Sequence, residues 1–78
     1  MKVKVKLYTI LKKYGEGKID KDNNLTIPES LTLKGLISHL NIPVKMGKVL
    51  LVNGFPRDIE YELIEGDEVK ILSFLGGG

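Results

Sequence analysis

The sequence predicts an α+β domain, one main helix packed across a mixed sheet of roughly four or five strands. Three patterns carry that expectation. Val3, Val5 and Leu7 alternate with Lys2, Lys4 and Lys6, the two-residue period of a half-buried strand. Leu33, Leu36, Ile37 and Leu40 stand at i, i+3, i+4 and i+7, a single apolar stripe along a helix. Lys48-Val49-Leu50-Leu51-Val52 is an apolar strand that runs into Asn53-Gly54, the pair best suited to a two-residue hairpin turn.

In chain order, the first strand faces the core with Val3, Val5 and Leu7. Its lysines take the solvent side and guard it against edge pairing. They do not read as a nucleic-acid platform, because no aromatic residue interleaves with them. Thr9 to Tyr14 is compatible with a helical turn ending at Gly15. Residues 16–24 are polar, with Gly17 and Asn23-Asn24, and read as a loop. Leu25-Thr26-Ile27 is a short strand, closed by Pro28, that pairs with the first strand as a hairpin-like unit. Thr32 caps the helix. Gly35 inside it costs about 1 kcal/mol relative to alanine, which points to a close approach there. Asn41 and Pro43 end the helix.

The apolar strand 48–52 is expected at the centre of the sheet. Phe55 opens the return strand, and Pro56 keeps that strand short or at an edge. Residues 58–68 hold Asp58, Glu60, Glu62, Glu65, Asp67 and Glu68 and no basic residue. An acidic run of this kind is either a solvated face or a face that docks a basic partner. Ile59, Leu63 and Ile64 are expected to anchor it to the core. Gly66-Asp67 then turns the chain into a last strand, expected to lie between earlier ones.

Composition narrows the function. The 78 residues make one small domain with no cysteine, so neither a disulfide nor a thiolate is available. A net charge of +2 does not by itself imply nucleic acid. The N-terminal pattern is not that of a signal peptide and no run approaches a membrane span, so a cytoplasmic protein is expected. The one histidine, His39, stands off the apolar stripe with no partner at metal-ligand spacing. There is no phosphate-binding loop, dinucleotide fingerprint or serine elbow. The acidic run lacks calcium-loop spacing.

The last strand, Val69-Lys70-Ile71-Leu72-Ser73-Phe74-Leu75, is apolar on both faces. Val69 and Ile71 suit the core, while Leu72 and Phe74 point the other way. That second face is either covered by the domain's own loops or is a docking patch. Gly76-Gly77-Gly78 follow. Two readings fit them: a thin stalk presenting the Gly78 carboxylate as a reactive group, or a frayed end. The organisation read here is a domain over 1–75 and a flexible glycine tail over 76–78.

Val52-Asn53-Gly54, Leu63, Gly66-Asp67-Glu68-Val69 and Gly77-Gly78 together resemble the ubiquitin-like sulfur-carrier proteins. That family includes the small subunit of molybdopterin synthase and the thiamine-pathway sulfur carrier. The resemblance covers nearly the whole chain, and the Tyr8–Tyr14 segment is similar to the molybdopterin-synthase branch. Gly76 departs from the pattern, which usually has a larger residue before the diglycine.

The resemblance implies a β-grasp fold and a carrier with no catalytic residues of its own. A ubiquitin-activating-type enzyme, using ATP and Mg²⁺, would adenylate the Gly78 carboxylate. Sulfur from a donor such as a cysteine desulfurase would then convert it to a thiocarboxylate. The acceptor would be a partner such as the large subunit of molybdopterin synthase. Gly77 and Gly78 would carry the sulfur, and Leu72, Phe74 and Leu75 would dock the partner. Arg57, beside the hairpin, would pair with a partner carboxylate or stand as a plain surface residue. No bound cofactor, nucleic acid or membrane is implied. The alternatives are sulfur supply for thiamine thiazole synthesis, tRNA thiolation or protein conjugation, and a β-grasp binding module with an inert tail.

Overall fold

A computed structural model describes residues 1–43, 45–46 and 48–73. The elements follow in the order β1 (Lys2–Leu7), a 3₁₀ helix (Thr9–Gly15), β2 (Asn24–Thr26), α1 (Leu33–His39), β3 (Lys48–Val52), β4 (Phe55–Pro56) and β5 (Glu68–Ser73). The strands form one five-stranded sheet in the order β2-β1-β5-β3-β4. Only the β1–β5 pair is parallel, with Val5 opposite Val69 and Leu7 opposite Ile71. All other pairs are antiparallel. This is the β-grasp, ubiquitin-like architecture.

The alternation read in the first strand is realised: Val3 and Val5 are buried and Lys2 and Lys4 exposed. β2 starts one residue earlier than expected, at Asn24. Ile27 still bonds across to the first strand, its N–H donating to the Met1 carbonyl at 2.8 Å. The ambiguous segment after β1 is a 3₁₀ helix that buries Leu11 and Gly15. The polar loop that follows is organised by Asp20. Its Oδ1 accepts the amides of Asp22 at 2.8 Å and Asn24 at 2.9 Å.

Thr32 caps α1 as its side chain accepts the Gly35 amide at 3.1 Å. The predicted stripe is the buried face: Leu33, Leu36 and Leu40 are fully enclosed and Ile37 nearly so. They pack on Val3, Val5, Leu25, Leu50, Val52, Val69 and Ile71 from the sheet. The close approach at Gly35 is to Leu31. A Cβ there would stand 2.5 Å from Leu31 Cδ1.

Two expectations need correction. The last strand, β5, lies between the earlier β1 and β3 as expected, and it, rather than β3, takes the middle of the sheet; β3 is interior but one place out, with the edge strand β4 on its outer side. Ile59 and Ile64 do not anchor the acidic stretch: they are 44% and 61% exposed, while Leu63 alone is buried. The stretch is held instead by its backbone. Ile59 and Tyr61 carbonyls accept the Lys34 and Leu33 amides at 2.8 and 2.9 Å, and the Leu63 amide donates to the Leu31 carbonyl at 2.8 Å. Backbone pairing with the start of α1 leaves the side chains free to face water.

Leu36 is the test of this packing. Leu36→Ala should lower stability by about 2–5 kcal/mol through lost burial and a residual cavity. Urea unfolding would show a lower midpoint at unchanged slope.

Candidate functional site

β5 delivers the end of the chain, and its two faces differ. Val69 and Ile71 are fully buried beneath α1. Lys70 and Leu72 alternate with them and lie on the open side, half-exposed. Register fixes their neighbours: Leu72 stands opposite Val49, and Lys70 opposite Leu51 on one side and Lys6 on the other. Leu51 in turn faces Pro56 of β4. Val49 is 38% exposed. The open face therefore holds an apolar strip of Val49, Leu51, Leu72 and Pro56, bordered by Lys6 and Lys70. Of the two readings of the strand's second face, Leu72 fits the uncovered one.

Where β5 begins, a buried carboxylate fixes its register. Asp67 is only 3% exposed. Its Oδ1 accepts from Asn53 Nδ2 at 2.9 Å. Its Oδ2 accepts from the Tyr61 hydroxyl at 3.1 Å and the Ile64 amide at 3.0 Å. Asn53 Oδ1 accepts the Glu68 amide at 3.0 Å. Both turns read in the sequence are thus tied to each other. Asn53 and Gly54 carry φ of 53° and 88°, the left-handed pair a tight hairpin demands. Sequence reasoning missed Asp67 as a buried acceptor, because a Gly-Asp pair reads as solvated turn. The one available signal was the presence of two donors, Asn53 and Tyr61, near apolar strands.

The remaining candidates are distributed around this frame. Arg57 is exposed and lies over the Tyr61 ring, 5.2 Å from its centroid. It sits by β4, at the edge of the sheet, and is not brought onto the strip with Leu72. Phe74, Leu75, Gly77 and Gly78 lie outside the described residues. His39 is exposed, and no cluster of potential metal ligands occurs among the described residues. No helix there is long and apolar enough to cross a membrane. The acidic side chains Asp58, Glu60, Glu62 and Glu65 are exposed. Asp58, Glu60 and Glu62 lie on the stretch that pairs with the start of α1, while the Glu65 carboxylate accepts the Lys2 amide at 3.0 Å.

The five-stranded sheet with its two-faced central strand is a ubiquitin-like fold, the frame of the class of small carrier and modifier proteins. Within that class the chain belongs to the ThiS family, whose profile matches residues 5–78. Such small ubiquitin-like carriers are in general non-catalytic. Solved structures share the fold at low identity. SAMP1 from Haloferax volcanii is similar over 100% of both chains, at 15% identity and a TM-score of 0.66. A second structure, of H. volcanii small archaeal modifier protein 1, is similar over 91% of this chain and 94% of that one, at 13% identity and a TM-score of 0.66. No curated protein matches the sequence significantly.

The Asp67 cluster makes two predictions. Asp67→Ala leaves the Asn53, Tyr61 and Ile64 donors without their acceptor and should cost about 1–3 kcal/mol in urea unfolding. Burial, and then the hydrogen bond to Asp67, raise the Tyr61 hydroxyl above its ordinary 10.0, with Arg57 opposing. A folded pKa above the unfolded one stabilises below pH 10 and is lost as pH rises through the folded value. The stability advantage of the wild type over Tyr61→Phe should therefore be full at neutral pH and shrink above pH 10, as read by urea unfolding across that range.

Proposed function

We propose that the chain is a sulfur carrier whose working group is the Gly78 carboxylate, and that it supplies sulfur for molybdopterin or tungstopterin synthesis. The observation that carries this reading is the family match over 5–78, which runs through Gly77 and Gly78. In this reading 1–75 is the docking body and 76–78 the tail that enters partners. The setting is cytoplasmic, where ATP is available.

The chemistry needs no base from the carrier. On an E1-like enzyme, a Gly78 carboxylate oxygen attacks the α-phosphorus of Mg²⁺-bound ATP and pyrophosphate leaves. The resulting mixed anhydride makes the Gly78 carbonyl carbon electrophilic. A donor's persulfide sulfur attacks it and AMP departs with the electron pair. A thiol then cleaves the S–S bond, becoming a disulfide and freeing the thiocarboxylate. Glycine suits this role because a tail without Cβ can pass a narrow channel and adopt backbone angles closed to other residues. Leu72, with Val49 and Leu51 beside it, is the docking strip on the body, and Phe74 and Leu75 extend it. Arg57 lies to one side and would meet only a partner that also covers the hairpin.

What favours the molybdopterin branch is the Tyr8–Tyr14 segment, which resembles it. The likeness to a solved small archaeal modifier protein favours a second reading, tRNA thiolation or isopeptide conjugation through the same activated glycine. Thiamine thiazole synthesis shares the activation step and differs in acceptor.

Intact mass measures this directly. Protein incubated with its adenylating enzyme, ATP and a sulfur donor should gain about 16 Da, confined to the C-terminal peptide, as sulfur replaces oxygen. An unchanged terminus, with the enzyme active on another carrier, would leave an inert-tailed binding module.

A further inference from the structure

The Tyr8–Ile10 turn carries the chain from β1 into the 3₁₀ helix, the Leu11 amide donating to the Tyr8 carbonyl at 3.0 Å. β1 and β5 are parallel with Leu7 opposite Ile71, so Tyr8 comes level with Leu72 at the docking strip. Thr9 follows with φ of 51°, in the left-handed region where a β-branched residue is strained. Its hydroxyl donates to the Tyr8 carbonyl at 2.7 Å and braces the kink. The chain then enters the 3₁₀ helix with Leu11 fully buried and Ile10 turned outward at 47% exposure. Three residues on, Lys13 shares the outer face with Ile10.

Charge around this turn is mainly basic, with Glu16 at the far end of the 3₁₀ helix. Lys12 and Lys13 are exposed on the 3₁₀ helix, which packs against β5. Lys6 and Lys70 stand side by side across the parallel pair, an arrangement that costs stability unless a counter-charge is near. Among the described residues only Lys6 of these four is within ion-pair distance of a carboxylate, Glu68 at 3.5 Å. Glu65 sits at the other end of β5, its carboxylate accepting the Lys2 amide. An exposed isoleucine on a braced kink, beside Lys12, Lys13 and Lys70 with no carboxylate in ion-pair distance of them among the described residues, matches a surface that brings its own carboxylates.

We propose that the Tyr8–Ile10 turn and its lysine frame form the partner-selecting element of the carrier, seated against an apolar patch rimmed by Asp and Glu side chains on the adenylating enzyme. The inference rests on the carrier reading above. The lysines steer encounter and fix orientation, and Ile10 supplies the desolvated anchor beside the strip.

ATP–pyrophosphate exchange catalysed by the E1-like enzyme of the same organism, with the full-length carrier varied, tests it. Ile10→Ser should raise KM for the carrier about tenfold with kcat unchanged, the signature of lost uniform binding. The double variant Lys12→Glu, Lys13→Glu should raise KM as much or more, and should flatten the rise of KM with ionic strength seen in the wild type. Ile64→Ser and Lys34→Glu, remote from the turn, should leave both parameters as they are. Circular dichroism melts establish that each variant is folded, and should Ile10→Ser unfold, the lysine variant carries the test. Wild-type KM and salt dependence in both turn variants, while the wild type exchanges normally, would overturn the selecting role alone. No exchange with the wild type would overturn the carrier reading and this inference with it.

Discussion

Every other element of the fold is fitted around the parallel pairing of β1 with β5. The pairing joins strands more than sixty residues apart in sequence, Lys4 opposite Glu68 and Leu7 opposite Ile71. Parallel neighbours cannot be linked by a tight turn, so the intervening chain must leave the sheet and return. It does so by adding β2 outside β1, carrying α1 over the core face, and coming back as β3 and β4 outside β5. A strand paired on both sides and covered by a helix has one tolerable register. A slip by one residue would turn Ile71 outward and bury Lys70. The hydrogen bonds at Asp67 and Asn53 guard against that slip. They fix where β5 begins by tying its first amide to the preceding hairpin.

That fixed start determines what β5 can do at its other end. With Val69 and Ile71 committed to the core, Lys70 and Leu72 must face outward, beside Val49 and Leu51. The domain thus holds an apolar, lysine-edged strip in rigid relation to the point where the chain leaves the sheet. A carrier needs no more from its body than this. In the proposed reading the reactive group is the Gly78 carboxylate, activated by another protein, and the body need supply no serine elbow or phosphate loop. Buried polarity is spent on register: Asp67, the one buried charged residue among those described, serves strand placement.

Local patterns were legible in the sequence, long-range placement only in part. The Val3/Val5 alternation, the Leu33–Leu40 stripe and the Asn53-Gly54 turn all report short-range physics, and each appears as read. Strand order follows from such patterns only in part: the last strand was expected between earlier ones, and β5 lies between β1 and β3. The all-apolar run 48–52 reads as central, yet β5, with lysine and glutamate on its open face, takes that place. Periodicity also gives out in irregular chain. Ile59 and Ile64 look like core anchors beside Leu63, but residues 58–65 bond to the start of α1 through their backbone, and nothing in their spacing reveals which side chains turn inward. Leu72 was placed correctly on the open face because strand alternation reaches it. Arg57 was not resolved by any pattern, and its contact with Tyr61 depends on how the chain crosses after β4.

A net charge of +2 hides the feature that orients this molecule. Lys6 and Lys70 lie along the outer face of the parallel pair, and Lys12 and Lys13 on the neighbouring 3₁₀ helix. Basic side chains on that side favour its approach to an acidic partner surface. Pre-orientation matters more for a carrier than for a resident subunit. A carrier must find an activating enzyme, a donor and an acceptor in turn, and each encounter succeeds only if the same end arrives first. Affinity built from a wide apolar interface would slow its release from each partner. A narrow strip of Val49, Leu51 and Leu72, with long-range charge to aim it, gives orientation without a large buried area to undo.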